Sequence, residues 1–135
     1  MVDMLRVITR RQGLYEFTSD LELLVERSKV TDGICNLLIQ HTSASLVIQE
    51  NADPSAQADL EKWLNRLVPE GDSLYTHIFE GADDMPAHIK AALTASSLSI
   101  PIKNGRLCLG VWQGVFCWEH RHAGSRREIA VHIGQ

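Results

Sequence analysis

Three of the six histidines stand at positions where binding and catalytic side chains usually lie. The pattern places His41 at a strand end, His77 in a loop and His88 in the first turns of a helix. Imidazole is the commonest protein ligand for zinc-like metals, and three histidines with an open fourth position are typical of a catalytic zinc site. The sequence therefore suggests a site for a divalent metal, Zn²⁺ or Mg²⁺, with unrelated surface or core histidines as the alternative.

The first of these histidines, His41, is predicted to point into the protein. It shares strand parity with Leu37 and Ile39, and side chains two residues apart lie on the same face of a strand. A neutral imidazole in the interior needs a hydrogen-bond partner or a metal. A core histidine with a satisfied hydrogen bond is therefore the alternative to a metal ligand at this position.

Two groups of carboxylates offer the oxygen ligands that suit Mg²⁺ beside a diphosphate. One group is Asp83 and Asp84, and the other lies between Glu50 and Asp53. Both groups also stand just before predicted helices, where aspartate commonly accepts hydrogen bonds from backbone N–H groups. We expect capping to be their main role, with Asp84 capping the third helix.

Hydroxyl side chains follow His41 closely, at Thr42, Ser43 and Ser45. A serine nucleophile is disfavoured because the chain has no G-x-S-x-G motif and no defined acid partner. We therefore expect these hydroxyl groups to form hydrogen bonds with a ligand or with the backbone.

Polar residues also interrupt the apolar C-terminal strands. Gln113 and Glu119 share strand parity, so they either form hydrogen bonds across a sheet or line a pocket. Arg121, Arg126 and Arg127 have the chemistry to bind a phosphate. An exposed turn between strands carries the same residues, and we favour the exposed turn.

The elements that position these residues follow from periodicity and from turn residues. We predict two short strands, a helix after Ser19, two more strands, a helix after Asp53, a loop from Gly71 to Asp83, a third helix and C-terminal strands. Ser19 with Glu22 matches a capping box. Helices and strands are segregated rather than alternating, which favours an α+β fold with mixed or antiparallel sheets.

The longest predicted strand covers residues 107–119 and is apolar on both faces. A strand buried on both faces needs a second layer, either a packed sheet or a neighbouring subunit. Gly110 and Gly114 within it suggest a bulge. Asn104-Gly105 before it predicts a two-residue hairpin turn.

Apolar periodicity predicts the buried faces of the last two helices. In the second helix the apolar stripe consists of Leu60, Trp63, Leu64 and Leu67. In the third helix it consists of Met85, Ile89, Ala92 and Leu93.

Length and composition indicate one globular domain over residues 1–135. Hydrophobic residues make up 44% and charged residues 22% of the chain, which excludes the disordered and fibrous classes. The net charge is −4, with scattered Lys and Arg, so we expect no nucleic-acid partner. No apolar run reaches the roughly 18 residues that a membrane span needs, so we expect no membrane partner.

Cysteine usage and the N-terminus favour a cytoplasmic protein. Cys35, Cys108 and Cys117 are odd in number and form no C-x-x-C pair, so we expect reduced thiols buried in apolar strands. The N-terminal residues lack a basic segment followed by an apolar core, so no secretory signal is expected.

Six short motifs follow one another over most of the chain. They are His41-Thr42-Ser43-Ala44-Ser45, Glu50-Asn51-Ala52-Asp53-Pro54, Tyr75-Thr76-His77, Asp84-Met85-Pro86-Ala87-His88-Ile89-Lys90, Asn104-Gly105-Arg106-Leu107 and Trp112-Gln113-Gly114. Together they resemble the YjbQ family, whose members are named for a secondary thiamine-phosphate synthase activity. The resemblance implies an α+β fold built on a β-sandwich with about three helices. It also implies a homotrimer, with a site around the histidines near a subunit boundary.

The resemblance further implies an activity and a set of site residues. The reaction joins hydroxymethylpyrimidine diphosphate to thiazole phosphate and releases pyrophosphate, either as the main activity or as a side activity. A metal-dependent hydrolase with a three-histidine site and a non-catalytic trimeric binder of a small phosphorylated metabolite are the alternatives. The expected catalytic residues are His41, His77, His88 and Glu119, with the three histidines also expected as metal ligands. The expected substrate-binding residues are Thr42, Ser43, Asn51 and Gln113.

Overall fold

The computed structural model describes residues 1–135, which form eight strands and three helices. In chain order these are β1 (Val2–Ile8), β2 (Arg11–Glu16), α1 (Thr18–Ser28), β3 (Gly33–Ile39), β4 (Ala44–Glu50), α2 (Pro54–Leu67), α3 (Asp84–Leu93), β5 (Ser97–Lys103), β6 (Arg106–Leu107), β7 (Gln113–Ala123) and β8 (Arg126–Gly134). The predicted order of helices and strands is confirmed, as is the predicted loop before the third helix. None of the three helices is long and apolar enough to cross a membrane.

The strands form two sheets that pack face to face. In one sheet the order is β1, β8, β3, β5 and β6, and in the other it is β2, β7 and β4. All pairings are antiparallel. Alternate residues of the strands face the space between the sheets, among them Cys35 and Leu37 of β3 and Val115 and Cys117 of β7, and they share one cluster of 15 buried residues. The fold is therefore α+β and built on a β-sandwich.

Strand β7 is buried on both faces because the facing sheet covers one face and helices cover the other. Val115 and Cys117 point into the core between the sheets. On the opposite face Trp118 packs with Leu64 and Val68 at the C-terminal end of α2. Both layers that the apolar strand requires are thus present within this chain.

The predicted strand over residues 107–119 is wrong in its first half. Strand β6 ends at Leu107, and the chain leaves the sheet before β7 begins at Gln113. The N–H of Gly110 donates to Gln113 Oε1 at 2.7 Å, which closes a turn. Trp112 in this turn is exposed rather than buried in a strand.

Two local signals in the sequence are confirmed and one is wrong. Asn104-Gly105 joins β5 to β6 with φ angles of 53° and 76°, as a type I′ hairpin turn requires. Asp53 Oδ1 accepts a hydrogen bond from the Ser55 N–H at 2.9 Å at the start of α2. The capping box at Ser19 does not form, because α1 begins at Thr18 without a side-chain cap.

The buried faces of α2 and α3 differ from the predicted ones. In α2, Leu64 is buried but Trp63 and Leu67 are about half exposed, at 54% and 53%. In α3, Ala92 and Leu93 are exposed. The buried residues of α3 are Asp84, Pro86, Ala87 and Lys90. Helix α3 turns its two charged residues inward because both find hydrogen-bond partners beneath the helix.

All three cysteines are free thiols, and two of them are buried. Burial raises the pKa of Cys35 to about 11 and that of Cys117 to about 12, so both stay protonated and unreactive. Cys108 is exposed in the turn after β6. The expectation of a buried thiol is wrong for Cys108 alone.

Glu119 of β7 and Arg127 of β8 form a buried ion pair that joins the two sheets. Arg127 Nε donates to Glu119 Oε1 at 2.8 Å, and Thr9 Oγ1 donates to the same oxygen at 2.6 Å. Burial alone would raise the pKa of Glu119, but the hydrogen bonds from Arg127 and Thr9 outweigh it and lower this pKa. Arg127 is therefore not in an exposed turn, and Glu119, expected as a catalytic residue, holds the sheets together instead.

We expect Glu119→Gln to lower the free energy of unfolding by about 3–5 kcal/mol, because the buried guanidinium of Arg127 loses its counter-charge. Urea unfolding followed by circular dichroism measures the change. Glu128→Gln is the matched control, since it affects the pair with the exposed Arg6, and it should cost no more than about 1 kcal/mol. Equal losses in the two variants would contradict a structural role for the buried pair.

His120 is a buried histidine on the face of β7 opposite to Glu119. Its Nε2 lies 2.9 Å from Ser45 Oγ, and its Nδ1 has no hydrogen-bond partner. Burial, with a smaller contribution from the charge of Lys90, lowers the pKa of His120 from 6.5 to about 3. The folded protein therefore keeps His120 neutral at pH values where the unfolded chain protonates it.

The lowered pKa of His120 makes stability depend on pH. The contribution is fully present above the ordinary pKa of 6.5 and is lost as the pH falls toward 3. Between pH 7 and pH 5 we expect the native protein to lose about 2 kcal/mol more unfolding free energy than His120→Phe does. Urea unfolding at both pH values, in chelator, measures the difference. The exposed His132→Phe variant should keep the native dependence, and an unchanged dependence in His120→Phe would contradict the expectation.

Candidate metal centre

The strongest candidate site consists of His77, Asp84 and His88. Asp84 and His88 are four residues apart on α3, so they project from the same side of the helix, and the preceding loop brings His77 to them. His77 Nε2 lies 2.6 Å from Asp84 Oδ2, and His88 Nε2 lies 3.1 Å from the same oxygen. The three residues offer ligand atoms that all lie within 4.8 Å of one another. This group is a candidate site for a metal ion, and we call it the metal centre below.

Arg121 of β7 holds the Asp84 carboxylate by its other oxygen. Arg121 Nη1 donates to Asp84 Oδ1 at 2.7 Å, and Arg121 Nε donates to Asp83 Oδ2 at 3.0 Å. Burial alone would raise the pKa of Asp84, but the hydrogen bond with His77 and the charge of Arg121 outweigh it, so this pKa is lowered. Asp84 is therefore ionised, and its second oxygen, Oδ2, faces the two histidines.

The hydrogen bonds of His88 determine which of its two ring nitrogens carries a proton. Its Nδ1 lies 2.9 Å from the carbonyl oxygen of Thr42, which can only accept, so Nδ1 carries a proton. In a neutral ring Nε2 then carries a lone pair. This lone pair faces the ionised oxygen of Asp84, so the two groups repel each other. A proton or a metal cation at Nε2 removes this repulsion. The Thr42 carbonyl thus selects the tautomer in which His88 can bind a metal.

Two imidazole nitrogens and one carboxylate oxygen suit a zinc-like cation with an open position. Bonds of about 2.0–2.1 Å in tetrahedral geometry separate two zinc ligands by about 3.3 Å. The separation of 3.1 Å between Asp84 Oδ2 and His88 Nε2 is near that value. The separation of 2.6 Å between Asp84 Oδ2 and His77 Nε2 is a hydrogen-bond distance, so His77 would have to move outward by about 0.7 Å to bind the same ion. Mg²⁺ prefers oxygen ligands, so of the two metals expected from the sequence, these residues fit Zn²⁺ better.

A cavity of 260 Å³ adjoins the metal centre. It lies between the loop that carries His77 and the start of α3, and its lining includes Tyr75, Ile78 and Met85. Half of its lining residues are hydrophobic. The cavity therefore suits a small ligand that combines an apolar part with a polar group.

Comparison with known proteins identifies the family. The family model described as "UPF0047 protein YjbQ-like" matches residues 3–135. The chain belongs to the YjbQ/UPF0047 family. It is 50% identical over 131 residues to a UPF0047 protein of Synechocystis, covering 97% of this chain and 89% of the relative. It is 43% identical over 133 residues to the UPF0047 protein YjbQ of Escherichia coli O157:H7, covering 97% and 96% of the two chains.

A solved structure of the YjbQ/UPF0047 family has the same fold. The crystal structure of a family member from Clostridium acetobutylicum superposes with a TM-score of 0.87 at 34% identity, and the match covers 99% of each chain. The resemblance noted from the six motifs is therefore confirmed, both for the family and for its α+β fold.

His41 does not join the metal centre of this YjbQ-family chain. Its Nε2 accepts a hydrogen bond from the Glu128 N–H at 2.8 Å, so this nitrogen is used by the backbone of β8. Burial, and then the charge of Arg127, lower the pKa of His41. The expected three-histidine site is corrected accordingly, because Asp84 takes the place of His41.

Thr42 and Ser43 lie beside the metal centre, but they act through other contacts than the expected ones. The Thr42 side chain is exposed, and its backbone carbonyl binds His88. Ser43 Oγ accepts a hydrogen bond from Arg127 at 3.0 Å. Both residues position neighbouring side chains, and their expected binding of substrate stays a prediction.

Asn51 and Gln113 lie far from the metal centre. Asn51 Nδ2 donates to Glu16 Oε2 at 3.0 Å, and Gln113 closes the turn before β7. Gln113 begins β7, and Arg121 follows eight residues later near its other end, which corresponds to roughly 26 Å of extended strand. The structure does not bring these two expected substrate-binding residues to the metal centre of the same chain.

Asp84 and Arg121 belong to the candidate site, but the sequence pattern does not single them out as site residues. The spacing of Asp84 and His88, four residues apart in a helix, was an available signal. The expected capping role of Asp84 is wrong, because α3 has no side-chain cap. No local signal distinguishes Arg121 from an exposed arginine, because its partners Asp83 and Asp84 come from a distant part of the chain.

We expect one Zn²⁺ per subunit in protein purified without chelator, and its loss in Asp84→Asn and His88→Ala. Removing a ligand should weaken metal binding by more than the roughly 10–100-fold that changes around a metal site cost. His41→Ala should keep the metal, because His41 Nε2 accepts a hydrogen bond from the backbone of β8 and is not a ligand. Elemental analysis and competition with a chromophoric chelator measure content and affinity.

Arg121→Gln is the graded control for the same measurement. It removes a hydrogen bond to Asp84 without removing a ligand, so the affinity should fall only about 10–100-fold. Metal bound equally by native protein and by Asp84→Asn would contradict the assignment of the three ligands. Loss of metal in His41→Ala, with the fold intact, would restore the three-histidine site.

Proposed function

We propose that this protein is a zinc-dependent enzyme that acts on a small phosphorylated metabolite at the metal centre. The observation that carries the proposal is the convergence of three ligand atoms, His77 Nε2, Asp84 Oδ2 and His88 Nε2, within 4.8 Å. Catalytic zinc sites keep three protein ligands and an open position. The adjoining cavity offers space for a substrate next to that position.

The residues around the metal centre have distinct roles in this proposal. His77, Asp84 and His88 bind the cation, which would act as a Lewis acid toward phosphate oxygens. Arg121 orients Asp84, and the Thr42 carbonyl orients His88. These are positioning roles, since neither group needs to touch the substrate.

The reaction that we propose is thiamine-phosphate synthesis. It joins hydroxymethylpyrimidine diphosphate to thiazole phosphate with release of pyrophosphate, as the motif resemblance implies. A cation at the metal centre suits this reaction because negative charge develops on the departing pyrophosphate. The half-hydrophobic cavity beside His77 suits a planar heterocycle with a polar substituent.

Hydrolysis of a phosphoester is the second candidate. The donor set of two imidazoles and one carboxylate resembles that of catalytic zinc sites that activate water, and this specific observation favours it. A trimeric protein that binds a phosphorylated metabolite without turnover is the alternative from a different class.

We also propose that the protein acts as a homotrimer in the cytoplasm. Large apolar side chains are exposed in the loop that carries His77 and in the turn before β7. Phe79 is 95% exposed and Trp112 is 63% exposed, and contact with a second copy would bury such groups. The three free thiols support a reducing compartment.

Incubation with both thiamine precursors and Zn²⁺ should yield thiamine phosphate and pyrophosphate in equal amounts, measured by phosphorus NMR and chromatography. Asp84→Asn and His88→Ala should reduce the rate at least about a hundredfold, because the cation that stabilises the leaving group is lost. The exposed His132→Ala variant should keep the native rate.

The two other candidates give different products in the same assay. Phosphate or pyrophosphate released from one precursor alone would favour the hydrolase. Binding of a precursor without any product, unchanged in His88→Ala, would favour the non-catalytic binder and contradict the enzyme. Light scattering of the same samples tests the proposed trimer, since a mass other than three subunits contradicts it.

A further inference from the structure

Lys90 is the only lysine of this chain with a buried side chain. Its Nζ donates to Asn65 Oδ1, which is its only hydrogen bond, so two of its three donors have no protein partner. The carboxylates of Glu70 and Asp83 belong to residues that line the same cavity. A buried ammonium with unused donors is costly unless an acceptor meets it.

A β-bulge directs Gln12 to the same region. The register of β2 against β7 shifts between Arg11 and Gly13, and bulges commonly re-aim a side chain beside a functional site. Gln12 Oε1 accepts a hydrogen bond from Asn65 Nδ2 at 2.9 Å, and Gln12 Nε2 donates to the His120 carbonyl at 3.3 Å. An irregularity of the sheet thus holds a polar side chain next to the partner of Lys90.

Lys90, Asn65 and Gln12 line a cavity of 190 Å³, which is the liquid volume of about six waters. Gln12 and His122 also line a groove of 580 Å³ that includes Tyr15. The cavity and the groove adjoin, because they share these two residues. A ligand can therefore place one end at Lys90 and extend past Gln12 into the groove.

The charges around the cavity select the ligand. Glu70 already pairs with His122 at 3.0 Å, and Asp83 already pairs with Arg121 at 3.0 Å. A carboxylate brings one negative charge and two acceptor oxygens, which match the two free donors of Lys90. A phosphate dianion would bring twice the charge close to Glu70, Asp83 and the Glu61 side chain that lines the groove, and it would be repelled more strongly.

We propose that this cavity is a second binding site, for a small monocarboxylate whose oxygens accept hydrogen bonds from Lys90 and whose chain extends along the groove. The site is separate from the metal centre, because Lys90 and His88 are two residues apart on α3 and therefore project about 200° apart around the helix. Binding there requires neither the metal nor the reaction proposed above.

Titration calorimetry of the protein in chelator, with butyrate as the probe, tests this site. Butyramide is the matched control ligand, because it has nearly the same shape and no charge. We expect saturable binding of butyrate and binding of butyramide that is at least about tenfold weaker. Lys90→Met should weaken butyrate binding about tenfold or more, whereas the exposed Lys62→Met should leave it unchanged.

Three outcomes would overturn the proposal. They are equal butyrate binding in Lys90→Met and the native protein, equal binding of butyrate and butyramide, and tighter binding of inorganic phosphate than of butyrate. If Lys90→Met does not fold, chemical acetylation of lysines in the native protein tests whether butyrate binds at Lys90. Mass spectrometry should then show that butyrate slows modification of Lys90 but not of Lys62, and no such protection overturns the site. Because chelator is present throughout, these results are independent of the metal centre.

Discussion

The buried ion pair between Glu119 and Arg127 fixes the end of the sandwich on which the metal centre is built. Arg127 also donates to Ser43 Oγ, and the carbonyl of the preceding residue, Thr42, holds the His88 ring. On the other side Glu119 accepts a hydrogen bond from the backbone N–H of Arg121 at 3.2 Å. The side chain of Arg121 in turn holds Asp84. The orientations of Asp84 and His88 therefore both depend on one charge pair between the sheets.

The parts of the fold that sequence predicts well are those set by a few neighbouring residues. The Asn104-Gly105 turn and the Asp53 cap need no distant partner, and both form as expected. Residues 108–112 are apolar enough to read as strand, but Gly110 and the Gln113 side chain close a turn there. The buried face of helix α3 could not be predicted from its own residues. Its orientation depends on the buried partners of Asp84 and Lys90, which lie elsewhere in the chain.

The sequence predicts most of the residue types in the candidate site, but it does not predict which of these residues contact one another. His77 and His88 stand where the sequence analysis expected site residues, in a loop and in the first turns of a helix. His41 carries the same side chain, yet its nitrogen meets the N–H of Glu128, 87 residues further along the chain. Asp84 was expected to cap a helix, which is what local rules favour at its position. Its contacts with His77 and His88 make its carboxylate a candidate ligand, and Arg121 from strand β7 holds that carboxylate in place.

In the function proposed above, the charges at the metal centre would connect cation binding to the recognition of an anionic substrate. Asp83, Asp84 and Glu80 contribute three negative charges and Arg121 contributes one positive charge, so two negative charges are left uncompensated. Both aspartates engage the Arg121 guanidinium, which leaves it little capacity to bind a phosphate. A divalent cation would bring the same group of residues to neutrality and so remove their net repulsion of phosphate oxygens. In the function proposed above, affinity for a phosphorylated substrate would depend on metal binding, and Arg121 would keep Asp84 ionised and correctly oriented.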